Sequence, residues 1–144
     1  MQKVFVGLLV GLSAIMFSSA LLAADAPIPD LKGTWTGSYT GIKFGKGDPY
    51  NRTKEAELGK VSTIKINFII DFQEGRVFSG TKSSDKIKER ILGVISANNK
   101  NIWMADQDGY TAAVLHSPTK MEIIYMEVNP PVQVIRQGIF TRKP

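Results

Sequence analysis

The chain predicts an all-β domain, with about eight antiparallel strands running up and down and closing into a barrel. Three observations lead there. Apolar and polar residues alternate with period two from Leu31 onward. Turn-forming residues interrupt that alternation at roughly 8–12 residue spacing, as in sandwiches and barrels. No segment sustains a helical period; Arg52–Lys60 could form a turn or two at most. A chain of 144 residues suits one domain. Closing the sheet removes the edge strands that a disulfide-free domain would otherwise expose.

The first segment, residues 1–24, reads as a secretory signal peptide. Lys3 supplies the positive start, Val4 to Phe17 is almost continuously apolar, and Ser18, Ser19, Ala20, Ala23 and Ala24 form a small-residue exit. Cleavage after Ala24 leaves 120 residues and places the protein in the periplasm or outside the cell. No cysteine follows, so a lipoprotein anchor is excluded. An uncleaved membrane anchor is the alternative, because the run to Leu22 approaches spanning length. Residues 25–30, Asp-Ala-Pro-Ile-Pro-Asp, form an extended leader, and 31–144 make a single β-barrel domain.

The strands follow in order. The first spans 32–40. Lys43–Lys60 is then a long connection for a meander, carrying Gly45, Gly47, Asp48-Pro49-Tyr50 and several charges. It is either a lid over the barrel mouth or a solvated loop. Its Asn51-Arg52-Thr53 fits a glycosylation sequon that a bacterial source would leave unused. In 62–73, Ile64, Ile66, Phe68, Ile70 and Phe72 share one parity and predict a half-buried strand. Glu74-Gly75 turns the chain into 76–82, followed by 87–97. Asn98-Asn99-Lys100-Asn101 precedes 101–106, and Asp106-Gln107-Asp108-Gly109 precedes 110–116. Asp-Gly between strands is a hairpin signal. Asp106-x-Asp108-Gly109 also opens like a calcium loop, but the third acid and the distal Glu are missing. Ser117-Pro118 leads into 120–128, apolar on both faces, and Asn129-Pro130-Pro131 into 132–142.

Composition narrows the chemistry. There is no cysteine, so disulfides, thiol nucleophiles and Cys-zinc sites are excluded. The one histidine, His116, excludes sites needing two imidazoles in one chain. No Gly-x-Ser-x-Gly elbow, paired carboxylates or phosphate-cradling glycine loop is recognisable. The chain therefore reads as a non-enzyme without cofactor or bound metal. The net charge is +5. Lys82, Lys86, Lys88 and Arg90 are interrupted by Asp85 and Glu89 and lack interleaved aromatics, so they read as a solvated barrel face rather than a nucleic-acid site.

Leu31-Lys32-Gly33-Thr34-Trp35-Thr36-Gly37 resembles the first strand of the calycin barrels, the group of lipocalins, fatty-acid-binding proteins and avidins. The resemblance implies that Trp35 plugs one end and that a basic residue of the last strand packs over it. Arg142 is the first candidate and Arg136 the second. The chain also resembles a group of small secreted bacterial proteins with a Gly-Thr-Trp-Thr-Gly start, here 33–37. These share a Phe-x-Gly-Thr strand, here Phe78-Ser79-Gly80-Thr81, and an Asp-x-Asp-Gly-Tyr hairpin, here Asp106–Tyr110. This second likeness implies no particular activity. Where avidins carry the Asn and Ser that hold a urea-like ring, this chain has Gly37 and Gly41, so binding of that type is not implied.

An eight-stranded barrel is either filled by side chains or holds one small ligand. The leading expectation is non-covalent binding of a small, largely apolar ligand inside. Trp35, Tyr39, Tyr110 and Tyr125 would offer stacking surface, and Glu127 and Arg136 would orient a polar end. Trp35 reads first as core, a plug at the barrel bottom, Tyr39 reads either way, and Glu127–Arg136 reads first as a structural ion pair, since buried charges need partners. The alternative function is a filled barrel that engages a protein or envelope component from outside. The oligomeric state is left open.

Overall fold

A computed structural model describes residues 26–44, 61–129 and 132–144. The predicted signal peptide, Asn51 and nearly all of the Lys43–Lys60 connection lie outside these residues. The eight strands are β1 (Gly33–Phe44), β2 (Val61–Glu74), β3 (Val77–Ser83), β4 (Lys88–Ile95), β5 (Asn101–Ala105), β6 (Gly109–Ser117), β7 (Lys120–Asn129) and β8 (Val132–Arg142). Each pairs antiparallel with its sequence neighbour, and β8 returns to β1, closing the barrel. The all-β, up-and-down closed barrel is therefore the fold. β1 extends four residues beyond the predicted 32–40.

One end is sealed and the other carries the charged groups. The sealed end gathers the β2–β3, β4–β5 and β6–β7 hairpins and both ends of the described domain. There Leu31 and Trp35 are buried, and the Trp35 indole N–H donates to the Leu31 carbonyl at 2.8 Å. The Arg142 guanidinium lies 5.9 Å from the Trp35 ring and donates to the carbonyls of Asp30 (3.0 Å) and Lys32. Gln73 donates to the Pro29 carbonyl at 2.9 Å, and Asn99 to the Ala26 carbonyl at 2.6 Å. The leader is thus strapped across the barrel end by side chains from three separate strands or hairpins.

The core is aromatic. Tyr39 stacks on Tyr125 at 6.0 Å between ring centroids and meets Phe140 edge-on at 5.1 Å. Phe140 meets Phe68 at 5.3 Å. Two glycines make room for rings. A Cβ on Gly37 would sit 2.7 Å from the Phe140 ring, and one on Gly93 would sit 2.1 Å from the Phe78 ring. A side chain at either site would displace a buried aromatic.

Three sequence expectations are corrected. Phe72 faces solvent, because the register shifts between Ile70 and Phe72. The extra residue, Asp71, reverses the parity of the rest of the strand, as a β-bulge does. Tyr110 is 69% exposed and points outward, so it offers no surface to the interior. Gly109, Thr111 and Ala113 occupy the inner face of β6 instead. Lys82, grouped with the solvated basic residues, is 1% exposed and points into the barrel.

Candidate functional site

The open end of the barrel interior holds a network of ionisable side chains, reached from four strands and one turn. Lys82 and Glu89 are cross-strand partners on β3 and β4, at the inward positions beside the β3–β4 turn. Asp106 lies in the β5–β6 turn, and Tyr125 and Glu127 are on β7. Arg136 sits opposite Tyr125 on β8. All six side chains are buried.

Lys82 Nζ bonds to Asp106 Oδ2, lies 3.4 Å from Glu89 Oε2, and sits 4.3 Å from the Tyr125 ring centroid. The Tyr125 hydroxyl donates to Glu127 Oε2 at 3.3 Å. Arg136 Nη1 donates to Ser62 Oγ at 2.9 Å. The Asp106 carboxylate serves two purposes. Its Oδ1 accepts the backbone N–H of Asp108 (3.1 Å) and of Gly109 (2.7 Å), which shapes the turn, while Oδ2 holds Lys82. This is a hairpin turn, and among the described residues no group of acids or histidines has metal-binding geometry.

Burial works against every charge here. It pushes the Lys82 ammonium down, while Asp106 opposes that shift. It pushes both tyrosine hydroxyls up, Tyr39 with help from Asp106, and Tyr125 with help from Asp106 and Glu127. Glu89 is pushed up to about 7, first by burial, then by the charges of Asp106 and Asp108 and a hydrogen bond with Asp108. Glu89 thus holds a proton in the folded state over a range where the unfolded chain has lost it.

Stabilisation from the raised Glu89 pKa is complete below about 4.5 and is lost as pH climbs through about 7. Glu89→Gln keeps a donor toward Asp108 but cannot ionise. Equal thermal stability at pH 4.5 is expected, with the variant more stable at pH 8.5 by on the order of 2 kcal/mol. Melting curves at the two pH values check this; a variant less stable at pH 8.5 would show that the Glu89 charge is needed by Lys82.

Among the described residues the interior is nearly full. A cavity of about 10 Å³ remains between Tyr39, Ile64, Ile66, Lys82, Tyr125, Val134 and Arg136, room for one water molecule. The Tyr39 hydroxyl makes no hydrogen bond of ordinary geometry among the described residues, though the Thr111 side chain is near enough to favour its ionised form. A larger space lies at the rim of the open end, an open groove of about 480 Å³ between β1, β7 and β8. It is lined by Ile42, Phe44, Met126, Val128, Val134 and Ile135, with Lys43, Glu127 and Gln133 as its polar members.

Of the sequence-predicted site residues, Trp35 and Arg142 meet at the sealed end. Tyr39, Tyr125, Glu127 and Arg136 converge inside, toward the other end, and Tyr110 is outside. Lys82, Glu89 and Asp106 are the members that sequence reasoning missed. The available signal was parity: Lys82 follows Phe78 and Gly80 at two-residue steps, and Glu89 precedes Ile91 in the same way. The glycines at the avidin ring-binding positions also have a structural account. Phe140 lies over Gly37, and the stem of Arg136 lies 2.9 Å from where a Gly41 Cβ would be. His116 is exposed at the other end, 3.4 Å from Glu122.

The sequence matches no family model and no curated protein. Among solved structures the fold is similar to a redesigned β-barrel, with a TM-score of 0.53 and 11% identity. The match covers 79% of this chain and 92% of that one. At that identity the likeness carries the closed antiparallel barrel and extends neither to the calycin family nor to the Gly-Thr-Trp-Thr-Gly start.

Proposed function

We propose that this protein is an exported, non-enzymatic binding module: a filled barrel that engages another macromolecule through its outer surface and carries no ligand inside. The observation that supports this reading is the packed interior. Among the described residues, Trp35, Tyr39, Phe68, Tyr125 and Phe140 pack around a cavity of about 10 Å³, whereas small-molecule sites measure about 300–1,000 Å³. The buried ions at the open end fit the same reading. Lys82 and Asp106 pair as ions, and Glu89, pushed up to about 7, lies beside them as part of a structural polar core.

A second reading is favoured by the rim groove. A small, largely apolar molecule could bind there without entering the barrel, with Lys43 and Glu127 at its edge to meet a polar end.

Native mass spectrometry of protein purified from the cells that make it, paired with amide NMR, separates the readings. The module predicts no co-purifying small mass and undisturbed Tyr39, Phe68 and Phe140 signals on adding a medium-chain fatty acid. A co-purified apolar molecule whose removal shifts those signals overturns it. Shifts confined to Ile42, Val134 and Ile135 select the rim groove.

A further inference from the structure

One seam of the barrel wall is closed by side chains alone. The β4–β5 ladder is the shortest in the barrel, running from the Leu92–Ala105 pair to the Ile95–Ile102 pair. Beyond it, toward the open end, residues 88–91 of β4 continue beside the turn at 106–109. Among the described residues no backbone hydrogen bond joins these two segments. On its other edge the same stretch of β4 is paired throughout, from Lys88 opposite Ser83 to Ile91 opposite Gly80. What crosses the upper seam is charge. Lys82 holds Asp106 of the turn and lies 3.4 Å from Glu89, and Glu89 is hydrogen-bonded to Asp108 of the same turn.

The Glu89–Asp108 bond needs a proton. Two carboxyl groups bond only while one of them keeps its O–H and donates it, because an ionised carboxylate is an acceptor only. Once that proton leaves, two acceptors face each other across the seam and repel. We propose that the upper β4–β5 seam is a proton-controlled gate, closed by a protonated Glu89 and released when Glu89 ionises.

The groups around Glu89 set the direction. Lys82 on β3 is the near cation, and Asp106 shares it. Asp106 and Asp108 of the turn and Glu127 of β7 all oppose a further negative charge. Tyr125 on β7 and Tyr39 on β1 stay neutral, because burial pushes both hydroxyls up. Arg136 on β8 stands opposite Tyr125 and donates to Ser62, and β2 turns Ile64 and Ile66 toward this interior. Glu89 sits at about 7 with the seam closed and returns to about 4.5 when water reaches it. The opening equilibrium therefore rises about 30-fold from pH 5.5 to pH 8.5. The gate is independent of what the barrel binds. It uncovers Lys82 and Tyr125 in alkaline surroundings and covers them in acidic ones. Tyr125 is the natural reporter, since its ring packs under the turn, 2.7 Å from where a Gly109 Cβ would be.

Hydroxyl-radical footprinting of the full chain, read by mass spectrometry, tests the gate. Tyr110, on the outside, calibrates the dose, and Trp35, at the sealed end, reports unfolding. The Tyr125-to-Tyr110 oxidation ratio is expected to rise about tenfold between pH 5.5 and pH 8.5 with Trp35 protected throughout. Glu89→Gln keeps a donor toward Asp108 at every pH and should hold the low ratio at both. Asp108→Asn supplies an amide that donates to the ionised Glu89 and should do the same. A flat ratio in the unaltered chain overturns the gate, as does a rise that persists in Glu89→Gln. Oxidation of Trp35 in step with Tyr125 overturns it too, since the whole barrel is then unfolding.

Discussion

Lys82→Met is expected to destabilise the barrel by about 3–5 kcal/mol, the cost of removing one partner from a buried ion pair. Lys82 is 1% exposed and bonds to Asp106, whose side chain is equally buried. Without the ammonium, Asp106 lies near Glu89, Asp108 and Glu127 with the nearest compensating charge removed. Its Oδ1 remains tied to the Asp108 and Gly109 amides, so the carboxylate cannot swing to solvent without undoing the β5–β6 turn. Urea denaturation should show a lower midpoint at unchanged slope. The double variant Lys82→Met/Asp106→Asn should recover part of the loss, because it removes the stranded charge while keeping an acceptor for the turn. A loss below about 1 kcal/mol in the single variant would mean that water reaches Asp106 and screens it.

Trp35→Ala is expected to cost about 3–5 kcal/mol through the cavity it leaves. Trp35 is fully buried, accepts the Arg142 guanidinium near its face and donates to the Leu31 carbonyl. Its loss should therefore also loosen the strap. Amides of Ile28, Asp30, Leu31 and Lys32 should exchange faster, and protease should cleave there while the strands stay intact. Trp35→Phe retains much of the volume but loses the indole donor, with an expected cost of about 1–2 kcal/mol. Equal losses in the two variants would assign the effect to the hydrogen bond rather than to packing.

Much of the architecture was legible from local pattern. Strand number, order and turns follow from alternation and from Gly, Asn, Asp and Pro at the breaks, because those signals act within a few residues. The Trp35 plug was implied by the likeness of the first strand to the calycin barrels rather than by the alternation itself, and the Arg142 guanidinium does lie near its ring. Tyr110 was misplaced for a physical reason. Along β6 the outward residues Tyr110, Ala112 and Val114 are as apolar as the inward Thr111 and Ala113, and apolarity ceases to mark the inside when the outside is itself an apolar face. Phe72 was misplaced because a single extra residue, Asp71, inverts parity without changing composition.

Residue order therefore accounts for an eight-stranded meander that closes on itself, since period and turn chemistry are properties of neighbouring residues. How the described interior packs emerged only in three dimensions, where Phe140 folds over Gly37 and Phe78 over Gly93 across strand pairs. The same holds for Lys82, Glu89 and Asp106. Each looks like an ordinary surface charge along the chain, and only the register that brings β3, β4 and the β5–β6 turn together supplies the opposite charges that make burial tolerable.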